Sequence, residues 1–154
     1  MIALGSDHGG FELKQEIINF LQEKGLAYKD VGCYDSTRCD YADFGEAVAV
    51  AVANGEAERG IVICGTGIGI SISANKVPGI RCALCGDVYS AKYTRYHNDS
   101  NVLALGGRVI GVGLALEIVD AWLSHDFQGG RHLNRVNKIT ALEKKYGCGG
   151  KCNG

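Results

Sequence analysis

The sequence predicts an α/β fold: a single-domain, Rossmann-like parallel sheet of five strands, with helices on both faces and a further C-terminal helix. Three observations carry that expectation. Short apolar runs alternate with segments of helical periodicity almost to the end of the chain. Glycines, 23 in all against a single proline, cluster where the apolar runs end, as tight strand-to-helix turns require. The 154 residues, 46% of them hydrophobic, suit one domain with a sizeable core. Repeated strand–helix units of this kind imply a parallel sheet covered on both sides through right-handed crossovers.

The elements follow in order. Residues 2–5 form a short apolar strand. Leu13, Ile17, Phe20 and Leu21 fall at helical spacing, and Gly25 stops that helix. A second strand covers 26–31, followed by a polar loop over 33–41. Asp43 is a plausible N-cap for a helix presenting Phe44, Ala47, Val48, Ala51 and Val52 on one face. Residues 60–64 make the third strand and 67–75 a short helix. The fourth strand is placed at 80–85, and Asp87 caps the helix after it, which runs to about Tyr96. The fifth strand covers 102–105. A long apolar helix follows at 110–123 and an amphipathic one at 134–146. The domain is therefore set at 1–146, with 147–154 as a flexible tail rich in Gly and Cys.

Composition narrows the function. A formal net charge of −1 gives no sign of a nucleic-acid binder. The chain has no run of eighteen apolar residues, so no membrane span is expected. Its first residues lack the basic and apolar regions of a signal peptide. The seven cysteines, Cys33, Cys39, Cys64, Cys82, Cys85, Cys148 and Cys152, are odd in number and without an export signal. Reduced thiols in the cytoplasm are the expectation.

Ligands of open α/β sheets collect at the carboxyl ends of the strands. There the sequence places 6–10, 64–69, Gly86-Asp87 and Gly106-Gly107-Arg108. The run Cys64-Gly65-Thr66-Gly67-Ile68-Gly69 is the most informative. It sets a thiol between a buried strand and a helix start, where backbone N–H groups favour a thiolate and bind an oxyanion. The bland alternative is a glycine turn above an inert buried cysteine. The turn lacks the G-K-[ST] ending of a P-loop. Residues 5–10 have the wrong spacing for a dinucleotide fingerprint, so Asp7 and His8 read as substrate-orienting groups, or Asp7 as a helix cap. His97 suits a general acid or base, or a cation closing its helix. Arg131 and Arg135, four apart at a helix start, suit a phosphate clamp or a solvated face. Cys82 and Cys85, three apart in a strand, point to opposite faces and fit core packing better than a redox or zinc site shared with Cys148 and Cys152. Cys33 and Cys39 read as surface thiols in a loop.

Taken together, these motifs resemble the type B ribose-5-phosphate isomerase family, which also contains the galactose-6-phosphate isomerase subunits. The matching blocks are 5–10, Asp40-Tyr41, 64–72, Ala74-Asn75-Lys76, Tyr89-Ser90-Ala91-Lys92, His97-Asn98-Asp99, 101–106 with Arg108, and Gly129-Gly130-Arg131-His132. The resemblance implies reversible aldose–ketose isomerisation of a sugar phosphate without metal or cofactor. It implies that Cys64 is the base moving a proton between C1 and C2. The branch of the family that uses a glutamate would carry it where this chain has Ile70. Thr66 and His97 are implied in ring opening. Asp7, His8, Tyr41 and Asn98 match substrate contacts, with the amides of Gly65, Gly67, Ile68 and Gly69 around the reacting oxygen. Arg131 and Arg135 match the phosphate site, and Arg108 lies near the ligand. The implied assembly is a homodimer or dimer of dimers with sites at the subunit interface, to which His97, Asn98 and Arg108 come from the neighbouring subunit. The tail with Cys148 and Cys152 is outside the shared pattern. Three other readings stay open: an isomerase of a six-carbon sugar phosphate, a non-catalytic sugar-phosphate-binding module, and a thiol-redox or zinc protein.

Overall fold

A computed structural model describes residues 1–147. In chain order the elements are β1 (Ile2–Ser6), α1 (Phe11–Glu23), β2 (Tyr28–Asp30), α2 (Tyr41–Ala53), β3 (Arg59–Cys64), α3 (Ile68–Ala74), β4 (Cys82–Leu84), α4 (Val88–Asn98), β5 (Val102–Gly106), α5 (Val112–Leu123) and α6 (Arg131–Tyr146). The five strands form one parallel sheet in the order β2-β1-β3-β5-β4, as expected. From β1 the chain steps outward to β2, then returns to the other side of β1 for β3. The switch point lies between β1 and β3, and ligands of such sheets bind beyond the carboxyl ends of the strands there.

The central strands β1, β3 and β5 are buried on both faces, so they read as near-continuous apolar runs. Alternate residues feed two cores. Leu4, Ile61, Ile63, Leu103 and Leu105 pack with residues of α1, α4 and α5 around Trp122. Ala3, Val62, Cys64, Val102 and Ala104 pack with residues of α2 and α3. Cys85 belongs to the first core and Cys82 borders the second, so the two thiols face away from each other as the strand period demands. The indole N–H of Trp122 donates to Ser100 Oγ at 2.9 Å, which pairs a polar group that would otherwise be buried alone.

Several boundaries differ from expectation. β2 and β4 are edge strands of three residues each, shorter than their apolar runs. The helix assigned to an Asp43 cap begins at Tyr41 with Asp40 as N-cap, and Asp43 sits in its first turn. Acidic residues are favourable throughout the first turn, so composition does not fix the cap. α6 starts three residues before the expected Asn134, which brings Arg131 into the helix. Asp87 caps α4 as expected, accepting from Ser90 N–H at 2.7 Å. Cys33 is buried, not a surface thiol. Cys148, Cys152 and the tail from residue 148 lie outside the described residues.

α1 approaches the sheet so closely at Gly10 that a Cβ there would stand 2.5 Å from the carbonyl oxygen of Ile63, in the middle of the sheet. Gly113 is exposed in α5, with open space around the same atom. Gly10→Ala should therefore cost about 1–3 kcal/mol, whereas Gly113→Ala should stabilise by about 0.5–1 kcal/mol. Urea unfolding midpoints check both, and equal midpoints would contradict the contact.

Candidate active site

The sequence-predicted residues fall into two groups at opposite edges of the sheet. The first surrounds the switch point. Cys64 ends β3, is 4% exposed, and receives the Gly67 N–H on its Sγ at 3.1 Å. Gly67 has φ 77, and its missing side chain lets the turn lie on the backbone of Leu105. The Thr66 hydroxyl accepts the Ile68 N–H at 3.3 Å at the start of α3, whose first N–H groups have no partner within the helix. Asp7 is buried and accepts the Gly10 N–H at 3.0 Å, so it organises the turn into α1. Asp7 N–H is itself held by the Ile63 carbonyl at 3.1 Å. The next loop residues close on the Cys64 turn: a Cβ on Gly9 would be 3.1 Å from Gly65 N.

His8, in the turn after β1, and Tyr41, the first residue of α2, flank the crevice. His8 Nδ1 lies 3.2 Å from the Cys39 carbonyl and 3.3 Å from its N–H. The Tyr41 ring covers Gly69, where a Cβ would meet its Cζ at 2.6 Å. Arg108 reaches the turn from the loop after β5. Its N–H donates to Gly65 O at 2.9 Å, and its Cδ and Nη1 would stand 3.5 and 3.6 Å from a Cβ on Gly65. Arg108 thus lies over the Cys64 turn of its own chain. This first group is a thiol, amides, a carboxylate, an imidazole, a phenol and a guanidinium around one crevice.

The second group sits at the amino edge. α4 starts beyond the carboxyl end of β4 and runs back, so its eleven residues carry His97 and Asn98 roughly 15 Å toward the start of β5. Gln128 N–H donates to Tyr96 O at 3.2 Å and brings the start of α6 to the same place. His97 stacks on His132 with ring centroids 4.1 Å apart and 11° between planes, and Tyr93 meets it edge-on at 5.0 Å. Arg135 Nη1 lies 3.4 Å from His132 Nδ1. Arg131 and Arg135 are exposed, one turn apart on α6. Asp99 closes α4 at φ 47 and is held there by Arg81 at 2.9 Å and Arg95 at 3.0 Å. The fold therefore brings His97, Asn98, Arg131 and Arg135 together, and keeps them away from the Cys64 of the same chain.

A family model described as Ribose/Galactose Isomerase matches residues 2–139. The chain belongs to the ribose/galactose isomerase family. Its relatives in that family include the ribose-5-phosphate isomerase B of Escherichia coli, 54% identical over 144 residues, which span 94% of this chain and 97% of that one. The galactose-6-phosphate isomerase subunit LacB of Clostridium acetobutylicum is 45% identical over 128 residues, 83% of this chain and 74% of that one. A solved structure of Clostridium thermocellum ribose-5-phosphate isomerase B superposes with TM-score 0.93 at 59% identity, covering 94% of this chain and 98% of that one.

Two features of this family member are not legible in its sequence. His132, the last residue of the Gly129-Gly130-Arg131-His132 block, is buried and forms one face of the His97 stack. Asp99 stood beside His97 without a role, and it proves to be the left-handed residue that sets the turn. A positive-φ Asp one residue past a helix ending in His-Asn is a signal that turn chemistry alone supplies.

Burial first, then the nearby His97, Arg131 and Arg135, holds the His132 imidazole below its ordinary value. His132 is then neutral in the folded chain where the unfolded chain already takes up a proton. Its contribution is fully present above about pH 6.5 and is lost as pH falls through the lower folded value. Thermal melts from neutral to mildly acid pH should show the wild type losing more stability than His132→Gln. Parallel curves would rule out this linkage.

Proposed function

We propose that this chain is a metal-independent aldose–ketose isomerase acting on ribose 5-phosphate and ribulose 5-phosphate through a cis-enediolate. One observation carries the reading: the Cys64 thiol stands at the switch-point crevice with a backbone N–H aimed at its sulfur and a guanidinium over the adjoining turn. The sugar phosphate docks by its phosphate on Arg131 and Arg135, and this remote binding energy orients the reacting carbons. His97, with Thr66, moves protons between ring oxygen and anomeric hydroxyl and opens the ring. Asp7, His8, Tyr41 and Asn98 hold the hydroxyls. Cys64 as thiolate takes the C2 proton of the open aldose. The amides of Gly65, Ile68 and Gly69 receive the growing charge on the carbonyl oxygen, while that of Gly67 steadies the sulfur. The Cys64 thiol then returns the proton to C1, giving the ketose.

His97 and Cys64 lie at opposite edges of one chain, so this mechanism requires that a second copy supply His97, Asn98, Arg131 and Arg135. Arg108 acts on the Cys64 of its own chain. The carboxyl edge supports such an assembly: Ile68, Leu84 and Val109 are 53%, 44% and 67% exposed and line one cleft with Thr66. These are apolar groups that a symmetric partner would cover. A six-carbon substrate is the second reading, supported by the 45% identity to a galactose-6-phosphate isomerase subunit. Relative kcat/KM on ribose 5-phosphate, allose 6-phosphate and galactose 6-phosphate decides between them.

Cys64→Ala should lower kcat by about 10²–10⁴-fold, the usual worth of a general base, and still bind substrate in calorimetry. Near-wild-type turnover would end the assignment. Arg135→Ala should chiefly raise KM. Co-refolded Cys64→Ala and His97→Ala chains, each inactive alone, should regain about a quarter of wild-type activity if symmetric dimers share their sites. No recovery would place both groups in separate functions.

A further inference from the structure

The turn that ends α4 is fastened from two sides. Asp99, at φ 47, holds the left-handed conformation that favours glycine. Its carboxylate is shared between two guanidiniums: Arg95 Nη1 donates to Oδ1 at 3.0 Å and Arg81 Nη2 to Oδ2 at 2.9 Å. The two arginines stand on different elements. Arg95 belongs to α4 itself, and its other bonds go to the Ser100 and His125 carbonyls. Arg81 stands one residue before β4, at the edge of the sheet. Its Nε donates to the Asn98 carbonyl at 3.0 Å and to the Asp99 carbonyl at 2.9 Å. The last carbonyls of a helix have no partner within it, so an outside donor completes them. A cation there also faces the negative end of the helix dipole. The main chain of Arg81 meets the same turn: its N–H donates to Asn101 Oδ1 at 2.8 Å, and its carbonyl accepts the Asn101 N–H at 3.1 Å. Asn101 Nδ2 donates in turn to Gly79 O at 2.9 Å. Reaching two carbonyls and a carboxylate at once takes the planar fork of an arginine; the single ammonium of a lysine lacks it.

We propose that Arg81 is a positioning residue for ring opening, one that fixes the His97–Asn98 end of α4 to the edge of the sheet. This role rests on the reading of His97 as the group that opens the sugar ring. His97 directly precedes the residue whose carbonyl Arg81 holds, so the imidazole is carried on a clamped backbone. Without Arg81, Arg95 still ties Asp99 to α4, but the side-chain link from that helix end to the sheet edge is gone. An imidazole displaced in this way loses the hydrogen-bond reach that proton transfer needs. Cys64 lies at the other edge of the sheet, and its own bonds do not involve Arg81.

The full-length Arg81→Met protein is assayed beside wild type on ribose 5-phosphate and on the same sugar deuterated at C2. The fall should appear chiefly in kcat, roughly 10- to 100-fold, the range for lost charge-assisted hydrogen bonds. Slow ring opening precedes C–H cleavage and masks it, so the deuterium effect on kcat in the variant should be absent or smaller than in wild type. An unchanged kcat, or a lower kcat with an undiminished deuterium effect, overturns the proposal. Should Arg81→Met not fold, Arg81→Lys carries the same test, since it keeps the charge without the fork. Nuclear magnetic resonance supplies a readout that needs no turnover. The His97 ring and the Asn98 and Asp99 amides should shift or broaden in the variant while the amides of α1 keep their positions. Unmoved His97 and Asn98 signals overturn the positioning role. Shifted signals in a protein whose wild type leaves ribose 5-phosphate unconverted support the clamp and count against the proposed substrate alone.

Discussion

Everything at the carboxyl edge depends on three loops touching backbone to backbone. A Cβ on Gly9 would press on Gly65 N at 3.1 Å, one on Gly107 on Gly9 O at 2.8 Å, and one on Gly106 on Thr66 O at 2.7 Å. The loops after β1, β3 and β5 can close only because none of these atoms exists. Once closed, they are tied by Gly107 N–H to Cys64 O at 2.8 Å and Arg108 N–H to Gly65 O at 2.9 Å. The crevice is thus built from main chain, which carries dipoles, with few side chains to fill it. That composition suits a site that must bind an oxyanion next to a thiol.

A parallel sheet imposes a second constraint. Each strand delivers the chain to the carboxyl edge, and each helix returns it to the other edge. Residues that start helices and residues that end them are separated by the depth of the sheet. Cys64, Thr66 and Arg108 lie at strand exits; His97 and Asn98 lie at a helix end, and the α6 arginines are carried beside them. The amino-edge group is nevertheless strongly built. Arg95, 6% exposed, bonds both Asp99 and the Ser100 carbonyl, and Trp122 bonds the Ser100 hydroxyl beneath. Such investment in a surface turn makes sense when the turn presents its residues outward to something else. In the proposed assembly, a symmetric pair of chains, each offering one edge to the other, would meet both constraints without altering the fold.

The strands were legible because three of the five are buried on both faces and so appear as unbroken apolar runs. β2 and β4 were placed but overextended, since an edge strand pairs on one side and its run outlasts its ladder. The crevice was legible through glycine, whose positions mark the close contacts. The separation of the candidate residues onto two edges follows from the strand–helix order alone, because direction along the sheet follows from topology. What the sequence hides is pairing between remote side chains. Lys14 reads as one more polar residue of an amphipathic helix, yet it is fully buried against Asp30 and Cys33. Cys33 reads as a loop thiol for the same reason: its burial is made by partners far along the chain.

The chain's cysteines occupy distinct environments on one sheet. Burial and then the neighbouring Cys85 push Cys82 up to about 12. Burial and then the neighbouring Asp87 push Cys85 to about the same value. Both are neutral packing groups at any physiological pH, and on opposite sides of the sheet they neither chelate nor cross-link each other. Cys64 is as buried as Cys85, so burial alone does not distinguish them. The difference is a single backbone donor. The turn after β3 bends back through the left-handed Gly67 and points that residue's N–H at the sulfur, whereas the loop after β4 spends its capping group, Asp87, on the start of α4. The Gly67 N–H reaches the sulfur from three positions along the chain at φ 77, a conformation that glycine adopts without strain. The glycine at 67 and the cysteine at 64 are therefore one chemical unit.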